Sequence, residues 1–127
     1  MNDRSEEIKS RFQKSWVKTK QFYDDLIENY GWQKLEPLRD FVINLIDTGE
    51  SDYFRSGTSV HHLILSRSVE HGLRNDQKFI RIATIEKNRF NVAFCEGGKT
   101  YREYEVQNLS DSTVTNLLKT LKETLVD

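Results

Sequence analysis

In 79-FIRIATIEKNRFNVAFCEGGKTYREYEV-106, Phe90, Val92 and Phe94 occupy one parity and Asn91, Ala93 and Cys95 the other. Successive side chains of a strand point to opposite faces, so this alternation predicts a half-buried antiparallel strand. Apolar 79–85 and mixed 100–106 flank it, separated only by 86-EKN-88 and by Gly97 and Gly98. Connections this short join antiparallel neighbours, and the three segments are expected to form a meander. On its apolar face stand Ile80, Ile82, Phe90, Val92 and Phe94. The opposite face is expected to present Arg81, Asn91 and Tyr101, with Glu103 and Glu105 alternating onto it.

Upstream, 60–66 is apolar through its middle and predicts a further strand, entered through a glycine turn in 55-RSGTS-59. The polar segment 50–58, with Tyr53 and Phe54 embedded, reads as a loop or a short edge strand, and 68-SVEHGLRNDQ-77 as a loop. Before these, Ile8, Phe12, Trp16, Tyr23, Leu26, Ile27 and Tyr30 recur mostly at helical intervals up to Gly31, predicting one helix over 3–30. A second helix is expected from Glu36 or Pro37 to Thr48, since proline suits a first helical turn and Gly49 a terminus. After the meander, Ser110 is the expected N-cap of a closing helix, with Leu109 and Val114 as a hydrophobic staple. The apolar stripe of that helix is Val114, Leu117, Leu118, Leu121 and Leu125.

Two helices, an antiparallel curved sheet of about four strands and a final amphipathic helix do not alternate as a parallel α/β fold would. They predict an α+β domain spanning 1–127, with the helix packed on one sheet face and the other face left open. The 127 residues, 36% hydrophobic and 31% charged, suit one domain able to bury a core unaided. The lone Cys95 makes no internal disulfide, and no apolar leader or membrane-length run is present; a reducing cytoplasm and no membrane are the expectations. Cys95 itself is read as a small buried hydrophobe.

A net charge of −1 excludes a strongly basic nucleic-acid binder taken as a whole. The charges are nonetheless blocked: Lys9, Arg11, Lys14, Lys18 and Lys20 precede a largely acidic stretch over 24–52. Such blocks form either a local electropositive surface or ordinary solvated faces.

The adjacent His61 and His62 invite a catalytic or metal reading. Within a strand they would point to opposite faces, so one is expected inside and one outside, and neither a metal site nor a cofactor is expected. His62 near Ser56 or Ser66, with Asp52 as orienting carboxylate, is a weak nucleophile pattern, because such sites are defined by geometry. Phosphate-loop, dinucleotide, C-x-x-C and H-E-x-x-H motifs are all absent. No catalytic residue is therefore assigned.

Two binding sites remain. Single-strand binders combine a cationic surface with aromatic platforms, and Arg81, Lys87, Arg89, Asn91, Lys99, Tyr101 and Arg102 would supply these on the meander. A ligand pocket between helices and sheet would use Arg55, His62, Ser66 or Arg67. An interaction domain or homo-oligomer packing its free sheet, or its first helix around Phe12, Trp16 and Tyr23, is the third reading.

The segment 78–126, through 79-FIRIATIEKNRFNVAFCE-96, the glycine turn, 101-YREYEV-106 and 109-LSDSTVTNLLKTLKETL-125, resembles the single-stranded-DNA-binding transcriptional regulators, the Whirly proteins and the positive-cofactor coactivators. The resemblance implies a curved sheet before an amphipathic helix, single-stranded nucleic acid bound through basic and aromatic residues, and oligomers. The whole chain also resembles small cyanobacterial proteins, which implies a fold and no activity.

Overall fold

The computed structural model describes residues 3–68 and 77–124. Most of the loop expected over 68–77, His71 included, lies outside them, as does Leu125 of the last stripe. Helix α1 (Asp3–Tyr30) ends at Gly31, whose φ of +70° is one that side chains resist, and Trp32 N–H closes the terminus on the Leu26 carbonyl at 3.1 Å. A 3-10 turn (Gln33–Leu35) leads into α2 (Glu36–Asp47), which has Pro37 in its first turn. Gly49, with φ +84°, precedes a second 3-10 turn (Glu50–Tyr53).

The sheet follows as a five-stranded meander in the order β1 (Arg55–Ser59), β2 (His62–Ser66), β3 (Lys78–Glu86), β4 (Arg89–Glu96), β5 (Lys99–Val106), and α3 (Ser112–Lys122) closes the chain. Five strands replace the expected four because β1 carries no apolar alternation. Its inward-facing Ser56 meets hydroxyls of α1 instead of a hydrocarbon core: Thr19 Oγ1 lies at 2.8 Å, and Ser15 Oγ accepts the Ser56 N–H at 2.9 Å. Gly57 is therefore a strand residue, and the turn falls at Val60 and His61, with Val60 at φ +57°.

Antiparallel register places paired residues on one face. One face carries the rows Ser56, Leu65, Ile80, Phe94, Arg102 and Thr58, Leu63, Ile82, Val92, Tyr104. Its apolar members share one core with Trp16, Tyr23 and Ile27 of α1, Leu38, Val42 and Leu45 of α2, and Val114, Leu117, Leu118 and Leu121 of α3. At roughly 25 cal/mol per Å² of apolar surface removed from water, this shared core is the main stabilising term. The other face carries Gly57, Ile64, Arg81, Ala93, Glu103 and Arg55, Ser66, Phe79, Cys95, Thr100.

The cap of α3 lies one residue beyond the expected one. Asp111 accepts the Thr113 N–H at 2.8 Å, while the Ser110 hydroxyl donates to Asn108 Oδ1 at 2.7 Å. Ser110 is drawn into a local turn and its expected capping role passes to Asp111. Lys122 then anchors the helix end, 2.7 Å from Glu50 and 4.2 Å from the ring centre of Tyr53. Among the described residues no helix is long and apolar enough to cross a membrane.

Candidate ligand cleft and open sheet face

Helix α1 and the β1–β2 hairpin border an open cleft of about 520 Å³. From α1 it is lined by Ser15, Lys18, Thr19 and Phe22; from the hairpin by Arg55, Ser56, Gly57, Thr58 and Ser59, with Ile64 and Ser66. Helical spacing delivers the first group, since positions 15, 18, 19 and 22 lie on one side of a helix. Strand register delivers the second, setting Arg55 opposite Ser66 and Gly57 opposite Ile64. A β-carbon on Gly57 would meet no atom within 4 Å, so the cleft stays open above the strand.

The lining is rich in hydroxyls. Ser15, Thr19 and Ser56 are buried, with Ser56 Oγ 2.8 Å from Thr19 Oγ1 and 3.5 Å from Ser15 Oγ, and Ser66 is buried with its oxygen accepting the Ser68 N–H at 3.3 Å. Thr58 and Ser59 are exposed at the rim. Among the described residues, Lys18 and Arg55 are the charged members of its lining. That sign is notable in a chain whose acids outnumber its cations by 20 to 19.

Of the expected pocket residues, Arg55 and Ser66 meet here, whereas His62 and Arg67 are elsewhere. Arg67 donates to the Tyr53 carbonyl at 2.9 Å. His62 opens β2 on the face away from the core, and the preceding turn swings His61 beside it, ring centres 5.0 Å apart. Both histidines are half-buried, which corrects the expectation of one in the core and one in water. A hairpin turn, unlike a strand, does not send neighbours to opposite faces. His61 also sits edge-on to Trp32 at 5.5 Å, and its carbonyl accepts the Tyr23 hydroxyl at 3.1 Å. Burial, then His61, then Arg81 lower the His62 pKa below its ordinary value, while burial raises that of Tyr23 and keeps its phenol protonated.

The serine–histidine pattern does not assemble. Asp52 is engaged by Gln13 at 3.0 Å and Lys9 at 3.6 Å, and Ser56 by the α1 hydroxyls. Among the described residues no three His, Cys, Asp or Glu gather as a metal site would need.

On the open face, the expected nucleic-acid residues are spread out and partly neutralised. Arg81 lies 3.8 Å from Glu103, with the fully buried Ala93 between them in register. Arg89 lies 3.5 Å from Glu105 and 3.7 Å from Glu86. Asn91 is half-buried opposite Glu105, and Lys87 is exposed in the β3–β4 turn. A register shift between Phe94 and Cys95 leaves Tyr101 as the extra residue of β5, 51% exposed and 4.8 Å from Lys99 Nζ. Arg102 pairs with Phe94 and so belongs to the core-facing parity at the sheet edge. Cys95 is buried on the open face, 3.8 Å from Thr100 Oγ1.

Sequence reading missed Lys18, Phe22, Gly57, Ser59 and Ile64, together with the α1 hydroxyls. The legible signal was Ser15 and Thr19, polar residues within the buried stripe of a helix, since buried hydroxyls require partners. Comparisons with family models, with curated proteins and with solved structures return no match.

Proposed function

We propose that this chain is a non-catalytic binding module that holds a small anionic ligand in the cleft between α1 and the β1–β2 hairpin. The observation that carries this reading is the lining itself: among the described residues, Lys18 of α1 and Arg55 of β1 border one cleft together with serines and threonines. The volume falls within the ~300–1,000 Å³ typical of small-molecule sites. Charge-assisted bonds to a bound anion contribute roughly 1.5–3 kcal/mol each.

A ligand bound only by the folded state raises the unfolding midpoint. Phosphate ions should raise it for the wild type relative to chloride at equal ionic strength, and Lys18→Glu should remove most of that rise. An equal rise in both proteins would reduce the effect to general exclusion of phosphate from protein surface and overturn the reading.

A second reading, single-stranded nucleic acid on the open sheet face, is favoured by the placement of Arg81 and Asn91 on the face away from the shared core. Its cations must first leave Glu103, Glu105 and Glu86, at about 0–1 kcal/mol for each exposed pair. Under this reading Arg81→Ala with Arg89→Ala weakens binding of labelled oligonucleotides at low salt and flattens its salt dependence. Unchanged anisotropy titrations would sink it.

A further inference from the structure

The two edges of the sheet are finished differently. An edge strand carries a row of backbone N–H and C=O groups that its single neighbour leaves free, and a fold either blocks that row or offers it to another strand. At β1 the row is blocked. The Ser56 N–H donates to Ser15 Oγ of α1 at 2.9 Å, and Trp16 Nε1 of the same helix donates to the Phe54 carbonyl, just before the strand, at 2.8 Å. At the other edge, β5 pairs with β4 alone and seven of its eight residues are exposed. Among the described residues, no loop or side chain hydrogen-bonds to its outer backbone groups. Tyr104 has the parity of the core, opposite Val92, yet is 41% exposed, so the helical layer stops short of this strand.

We infer that β5 is the pairing edge of a symmetric dimer, joined antiparallel to β5 of a second copy about a two-fold axis at Glu103. The sequence of the strand favours that occupant. Its first half, 99-KTYR-102, carries two cations and its second, 103-EYEV-106, two carboxylates. A two-fold axis normal to the sheet makes the pairing antiparallel, which lays each half beside the opposite half of the other copy. Paired residues must share a face, so the axis falls on a residue and not between two. A centre at Arg102 sets that arginine against itself, and one at Tyr104 sets Glu103 against Glu105 twice. A centre at Glu103 makes one like-charged pair, each member held by its own Arg81 at 3.8 Å. It also sets Arg102 against Tyr104 of the other copy twice, on the helical side, where cation and ring attract.

Sedimentation equilibrium of the full chain from about 1 μM to about 1 mM tests this. The wild type should pass from monomer to dimer within that range, and Arg102→Glu, at an exposed position, should weaken association about tenfold or more with an unchanged far-ultraviolet spectrum. Glu103→Cys marks the axis, because residues directly opposite on antiparallel strands lie within disulfide reach. Mild oxidant should link that variant into a covalent dimer and should link neither the wild type, whose free Cys95 is buried, nor Lys87→Cys in the exposed β3–β4 turn. A wild type that stays monomeric throughout overturns the inference and leaves the edge to a strand from another protein. A dimer that Arg102→Glu does not weaken, or that Glu103→Cys does not capture, is built on another surface and overturns it as well.

Discussion

Val60 adopts φ +57° at the tip of the β1–β2 hairpin and is 80% exposed. A branched side chain resists this conformation, and its exposure returns little packing in exchange. Val60→Gly should therefore raise stability by about 1 kcal/mol, read as a higher urea midpoint, although glycine's greater freedom in the unfolded chain offsets part of the gain. His62 makes a second test. Burial, His61 and Arg81 lower its folded pKa from 6.5, so over the interval between that lowered value and 6.5 the unfolded chain binds more protons than the folded one. Stability is then fully present above about pH 6.5 and declines as pH falls through the interval. His62→Gln should flatten this slope in urea titrations between about pH 7 and pH 5; an unaltered slope would assign it to other groups. The histidine pair was legible as a place of interest, but its geometry was not. A two-residue turn at Val60 has no glycine signature, and the neighbouring Gly57 drew the turn to itself.

At the level of elements, legibility followed hydrophobic periodicity. Helix α1 and strands β3, β4 and β5 carry period or alternation strong enough to fix their extents, and Gly31 and Gly49 mark helix ends through conformations that other residues resist. Strand β1 is polar because its inner partners are Ser15 and Thr19, about forty residues away in sequence, and no local pattern announces such a pairing. The cap of α3 separates two adjacent candidates by which side chain meets the helix N–H groups. Asp111→Ala should cost about 1 kcal/mol of stability, whereas Ser110→Ala should cost only a few tenths. Thermal unfolding of both variants checks this, and the reverse order would place the cap at Ser110.

Over the whole molecule, a net charge of −1 hides a division. Lys18 and Arg55 face the cleft, while Glu103 and Glu105 hold the far strand of the sheet and neutralise Arg81 and Arg89. Composition alone pointed to a mixed-charge surface and left the sign at any one site open. The cleft was half legible: Arg55 and Ser66 lie close in sequence, but the α1 side chains that complete it join only when the helix packs against β1. Backbone amide chemical shifts followed during an inorganic phosphate titration test this account most directly. It predicts that shifts gather on Lys18, Phe22, Arg55, Gly57 and Ser59 and saturate; shifts confined to Lys87, Lys99 and Arg102, or none that saturate, would contradict it.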